Sequence, residues 1–207
     1  MIEILYEDRE IVVCVKPAGT LSELSEAGNS LPGMLISEGR ESVFMVHRLD
    51  REVTGVMVYA KTARAASSLS REVAEGKLEK IYLAEVEGRL PESSGLLEDL
   101  LFKDSKKNKS YVVKRERAGV KRAKLEYTEL EKREARTLYR IKLHTGRTHQ
   151  IRVQFSSRAC PIVGDRKYGA KEAGEMHLAS HIIGFVHPVT KKEMRFEYTP
   201  AFAGREE

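Results

Sequence analysis

Short runs rich in strand formers recur along the whole chain and restrict what it can fold into. Ile11–Val15, Gly55–Ala60 and Leu78–Val86 span only five to nine residues and are rich in strand formers. Ile2–Tyr6, Leu96–Phe102, Ser110–Val113, Ala123–Leu130, Thr137–His144, His177–Val186 and Glu193–Tyr198 read the same way, and Val43–Val46 is a further short apolar run. Helical spacing is confined to a few places. Thr62 is placed to cap a helix running to about Glu75, with Ala66, Leu69 and Val73 on one face and Gly76 as its stop. Ser30–Ser37 and Thr148–Ser157 are shorter candidates. Many strands and about three helices, without regular βαβ alternation, predict an α+β fold: a mostly antiparallel mixed sheet with a few flanking helices. No linker divides the chain, so residues 1–207 are expected to form a single catalytic domain.

The 207 residues are 41% hydrophobic and 32% charged, a globular balance that needs no disulfide or structural metal. No apolar run is long enough to cross a bilayer. The N-terminus carries acids where a signal peptide requires a basic start and an apolar core, so a cytoplasmic protein is expected. Cys14 and Cys160 stand alone, with no CxxC, and read as ordinary residues of a reducing compartment. GxGxxG, GxxxxGK[ST] and GxSxG are all absent. His177 and His181 are four apart but on a predicted strand, which separates them by roughly 13 Å. Neither a metal site nor an organic cofactor is implied.

Charge is unevenly distributed. Lys103–Lys124 holds ten Lys or Arg against Asp104 and Glu116, a net +8 where the whole chain has +5. The remainder is therefore net acidic. Such a concentrated patch suits a polyphosphate partner, although a solvated hairpin face has the same composition. Lys106, Lys107 and Lys109 cluster in its first third.

Two segments carry candidate chemistry. In Val46–Gly55, a cluster of His47, Arg48 and Asp50 sits between two apolar runs, where chain emerging from a sheet commonly builds a site. An exposed turn with a local Arg–Asp pair is the plainer reading. In Leu143–Val153, Gly146 permits a tight turn, and Thr145 or Thr148 is placed to cap the helix that follows. Arg147, His149 and Arg152 then crowd its first turn with donors. Basic residues there oppose the helix dipole, which suits an external anion, although an ordinary strand–helix junction accounts for the pattern too.

These segments resemble the RluA-type family of RNA pseudouridine synthases. HRLDREVTGVMVYAKT at 47–62 is similar to the family's HRLDxxTSG, apolar strand and Ala-Lys-Thr. TGRTHQIRVQ at 145–154 is similar to TGRTHQIRVH. YEDREIVVCVKPAG at 6–19, Lys80–Ala84, Pro161–Asp165 with Tyr168-Gly169, and Phe185–Pro188 with Thr190 match smaller family elements in family order. The departures are Val53-Thr54 for Thr-Ser, Val15 for the Asn before Lys-Pro, Gln154 for the closing His, and Leu178-Ala179-Ser180 for Leu-His-Ala.

The resemblance implies the pseudouridine synthase catalytic-domain architecture; the extended family often carries a small N-terminal RNA-binding module, and no separate one is expected here. It also implies isomerisation of uridine in ribosomal or transfer RNA, with no cofactor. Asp50 matches the essential acid, Arg152 the cation that pairs with it and Tyr82 the active-site tyrosine. Ile151 matches an apolar floor of the pocket, and Arg48 an arginine that fills the space left by a flipped base. Arg147, His149 and the Lys103–Lys124 segment are then the expected phosphate contacts, in a monomer. The alternative is a non-catalytic RNA-binding or ribosome-assembly protein on the same fold.

Overall fold

In chain order the elements are β1 (Ile4–Glu7), β2 (Ile11–Lys16), α1 (Leu31–Ser37), β3 (Phe44–Met45), β4 (Thr54–Ala60), α2 (Ala63–Ala74), β5 (Glu79–Glu87), β6 (Ser94–Asp104), β7 (Lys109–Val113), β8 (Val120–Lys132), β9 (Arg136–Leu143), α3 (Gln150–Ser156), β10 (Leu178–Val186) and β11 (Glu193–Glu197). One-turn 3-10 helices stand at Arg166–Tyr168 and Ala201–Ala203. These come from a computed structural model that describes residues 1–25 and 28–204. Helices and mostly antiparallel strands together make the α+β class expected from the sequence. The chain divides into two compact units, Met1–Lys80 with Ala179–Gly204, and Ile81–Leu178.

In the first unit the strands lie in the order β1-β2-β4-β10, with β3 also on β4 and β11 on β10. Pairing is antiparallel except where β10 runs parallel to β4 at Ala179↔Thr54 and Ser180↔Gly55. Ile11 and Val13 of β2, Val56 and Val58 of β4, and Ile183 and Phe185 of β10 belong to one buried cluster, each pair two residues apart and so on one face. Helix α2 contributes Ala65 and Leu69 to that cluster. Thr62 caps α2 by accepting from Ala65 N at 3.2 Å, and Gly76, at φ +70°, ends it. Leu69 is fully buried, worth about 2 kcal/mol.

Two of the family-like elements meet here. His187 lies 2.9 Å from Asp8 Oδ2 through Nε2, while its Nδ1 accepts from Thr190 N at 3.0 Å. Asp8 Oδ1 accepts from Glu10 N and Ile11 N at 2.8 and 2.9 Å. Burial works against the charge of Asp8, yet these donors hold its carboxyl below the usual range.

In the second unit the order is β5-β9-β8-β6-β7, antiparallel throughout. β6 and β8 run longer than their apolar cores predict, because ladder bonds from Ser94↔Thr128 to Phe102↔Val120 continue through polar residues. Helix α3 packs on this sheet. Val153 joins Leu101 and Ala123, and Phe155 lies 6.2 Å from the ring of Tyr127 and 5.5 Å from that of Tyr139.

Candidate active site

The loop that carries Asp50 is fixed on both sides by distant residues of the first unit. Before it, Leu49 is buried, its N–H donates to Ser22 Oγ at 3.0 Å, and the same hydroxyl donates back to Leu49 O at 2.9 Å. Ser22 is held in turn, because Tyr59 OH donates to its carbonyl at 2.8 Å. After Asp50, Arg51 O accepts from Lys16 Nζ and from Gly19 N, both at 2.9 Å. Val53 N donates to Asp50 O at 3.0 Å and closes the turn. Asp50 itself is half-buried.

Lys16 is fully buried and also donates to Pro17 O at 2.9 Å and Thr20 O at 2.8 Å. Burial pushes its ammonium down to about 8, against the opposing pull of Glu52 and Asp50. The altered Thr54 has its own use: its hydroxyl donates to Lys16 O at 2.8 Å. His47 continues the β3–β4 ladder with its ring, Nε2 accepting from Val58 N at 3.2 Å. Loss of solvent and the Lys80 charge push His47 down to about 3, so it stays neutral. Arg48 is exposed and lies 3.5 Å from Glu23, rather than beside Glu52 or Asp50.

In the second unit, Tyr82 is buried on β5 opposite Ile141. Ile151 and Arg152 are buried in the first turn of α3. Arg152 is gripped in two places by Asp165, Nε to Oδ2 at 2.6 Å and Nη2 to Oδ1 at 2.9 Å. Asp165 is itself fully buried, so the pair fixes the guanidinium plane.

The entry to α3 differs from the expected threonine cap. His149 occupies the cap position at φ +53° with no side-chain capping bond. The work falls to Gln150, whose Oε1 accepts from Thr145 Oγ1 at 2.7 Å and Arg147 N at 3.0 Å. Its Nε2 donates to Lys124 O at 3.1 Å. Thr145 is thereby drawn into the turn, and Thr148 O accepts from Ser110 Oγ at 2.6 Å. Arg147 is exposed, with Nε on Arg122 O at 3.0 Å. His149 is buried, with Nδ1 2.9 Å from Tyr168 OH, so it faces inward rather than outward. Gln154 is buried where the family pattern has His, donating to Asp99 Oδ2 at 2.7 Å.

Lys106 and Lys107 stand exposed in the tight turn between β6 and β7. Lys107 N donates to Asp104 Oδ1 at 3.1 Å, which fixes that turn. Lys109 is anchored, its Nζ donating to Lys167 O at 2.6 Å and lying 5.0 Å from the Tyr168 ring centre. The structure thus adds Ser22, Lys16, Asp165 and Tyr168 to the residues chosen from sequence. All but Ser22 stand in family-like motifs, although nothing local assigns them a task.

The pattern of the RNA pseudouridylate synthase family matches residues 10–157, which include both the Asp50 loop and α3. An uncharacterized RNA pseudouridine synthase of Aquifex aeolicus is 36% identical over 95% of this chain and 68% of its own length. Ribosomal large subunit pseudouridine synthase C of Buchnera aphidicola is 32% identical over 92% of this chain and 65% of its own. Among solved structures, human RNA pseudouridylate synthase domain containing 4 aligns with TM-score 0.79 at 25% identity, over 97% of this chain and 90% of that one. The fold and the match across most of the chain define an isomerase of the pseudouridine synthase class. The chain belongs to the RNA pseudouridylate synthase family. It spans about two thirds of the length of these bacterial relatives.

Proposed function

We propose that this chain converts particular uridines of ribosomal RNA to pseudouridine with Asp50 as the essential acid. The observation that carries the reading is the loop around Asp50, pinned by Ser22 on one side and Lys16 on the other. It lies within the stretch that the family pattern matches. A carboxylate beside a sugar must be held still, since small displacements of a reacting group are costly in rate.

In the reaction the bond from the sugar C1′ to uracil N1 breaks and one from C1′ to C5 forms. The C5 proton leaves and N1 gains one, so no electrons are exchanged and no cofactor enters the balance. Asp50 stabilises or attacks the electron-poor centre, and Arg152 supplies the cation that keeps it ionised. Tyr82 stacks on the uracil, and its hydroxyl assists at C5. Ile151 floors the pocket, and Arg48 fills the place of the flipped base. Lys106, Lys107 and Arg147 hold phosphates from exposed positions. His149 and Lys109 support that surface from within. Ribosomal RNA is favoured over transfer RNA because two kinds of relative, synthases C and D, are named for the ribosomal large subunit. The protein acts as a cytoplasmic monomer; no helix among the described residues is long and apolar enough to cross a membrane.

Pseudouridine mapping of total RNA from a deletion strain, complemented with wild type or Asp50→Asn, tests the reading. Sites that return with wild type and not with the variant support it. No difference at any site would leave RNA binding without catalysis as the better account.

A further inference from the structure

Within Gly164–Gly169 only Asp165 has been given a task, its grip on Arg152, yet several elements of the second unit converge on this stretch. Tyr168 is buried at the end of a one-turn helix. Its hydroxyl accepts from Ser110 N, in β7, at 2.8 Å and lies 2.9 Å from His149 Nδ1, at the start of α3. One ring holds two cations, the Arg152 guanidinium at 5.1 Å and the Lys109 ammonium at 5.0 Å. Cations are attracted to aromatic faces but repel each other, so the pair needs an anion nearby. Asp165, three residues earlier, provides it through its two-point grip on Arg152.

The turn that precedes the one-turn helix is tightly packed. Gly164 adopts φ +79°, and a Cβ there would lie 2.1 Å from Glu175 O, so that turn is locked against its neighbour. Tyr168 itself belongs to a buried cluster with Leu101, Ala123 and Val153. A side chain needed only to fill this space would not require a hydroxyl. Here the hydroxyl binds the strand that leads directly out of the Lys106–Lys107 turn.

We infer that Tyr168 is a positioning residue that joins the basic hairpin to the guanidinium of Arg152. RNA held at the hairpin turn and the arginine that serves Asp50 are then set by one side chain. This rests on the proposed roles of Arg152 and of Lys106 and Lys107. The hydroxyl and the ring have separable tasks: the hydroxyl registers the hairpin, and the ring orients Arg152.

Tyr168→Phe and Tyr168→Leu separate them, each compared with wild type under titration of active enzyme on a ribosomal RNA fragment containing a mapped site. Tyr168→Phe keeps the ring and is expected to raise KM about five- to thirty-fold, because the buried hydroxyl contacts with Ser110 and His149 are lost, with little change in kcat. Tyr168→Leu is expected to lower kcat by at least about ten-fold as well, since the ring contacts with both Arg152 and Lys109 are then lost. Combining Lys106→Ala and Lys107→Ala with Tyr168→Phe should cost less than the separate effects multiplied, because the hairpin is already released. Wild-type KM and kcat in both Tyr168 variants would overturn the inference while leaving the proposed function intact. A KM rise in Tyr168→Phe that multiplies independently with the lysine changes would also overturn it. Wild-type enzyme that forms no pseudouridine, or binds RNA equally well without the two lysines, would overturn the reading beneath it and this inference together.

Discussion

Replacing Lys16 with methionine keeps the volume of the buried side chain and removes its charge. Three carbonyls, of Pro17, Thr20 and Arg51, lose a donor. Arg51 O retains Gly19 N, so the loss falls most heavily on the other two. Hydrogen bonds from a charged donor contribute about 1.5–3 kcal/mol each. Against them stands the cost of burying the ammonium. Its descent from 10.5 to about 8 corresponds to roughly 3 kcal/mol. The bonds outweigh that cost, and Lys16→Met is expected to lose about 2–5 kcal/mol in urea unfolding at pH 7. The pH dependence has a definite sign. Between about 8 and 10.5 the unfolded chain holds the proton and the native chain has released it. Native stability from this group therefore rises with pH across that window and is flat below it. The gap between wild type and Lys16→Met should widen over the same range. A methionine variant as stable as wild type at pH 7, or a gap that narrows from pH 8 to 10.5, would refute the account.

Four further outcomes follow from the same contacts. Ser22→Ala strands the buried N–H and carbonyl of Leu49 and should cost about 1–3 kcal/mol in urea unfolding, with a matching fall in kcat; unchanged stability would remove the clamp. Gly55→Ala would set a Cβ 2.2 Å from Ser180 O at φ +117°, and should cost more than about 3 kcal/mol or prevent soluble expression. Asp50→Asn should abolish pseudouridine formation in a tritium-release assay while the variant still folds and unfolds cooperatively in a thermal scan. Lys106→Ala with Lys107→Ala should flatten the slope of log affinity against log salt by about 1.5, read by filter binding across salt concentrations; an unchanged slope would show that neither lysine meets a phosphate.

Much of the fold was legible because its signals are local. Continuous apolar runs at Ile11–Val15 and Gly55–Ala60 mark β2 and β4, and Thr62 with Gly76 brackets α2. The candidate residues Asp50 and Arg152 were legible only because short family-like motifs carry them. The cap of α3 was misread because Thr145 and Thr148 both suit the position, and the choice turned on the side chain of Gln150. His149 looked like a surface donor in a basic stretch, but the partner that draws it inward lies 19 residues away.

By itself the sequence determined the strands, the long helix, the family and the residues that stand in its motifs, since each depends on neighbours a few positions apart. Only the tertiary structure decided what holds them in place. Ser22 reaches Leu49 across 27 residues, Lys16 reaches Arg51 across 35, and Tyr168 reaches Ser110 across 58. Hydrogen bonds of that kind leave no periodicity behind them, because a buried donor needs only an acceptor within about 3 Å, wherever the chain brings it from.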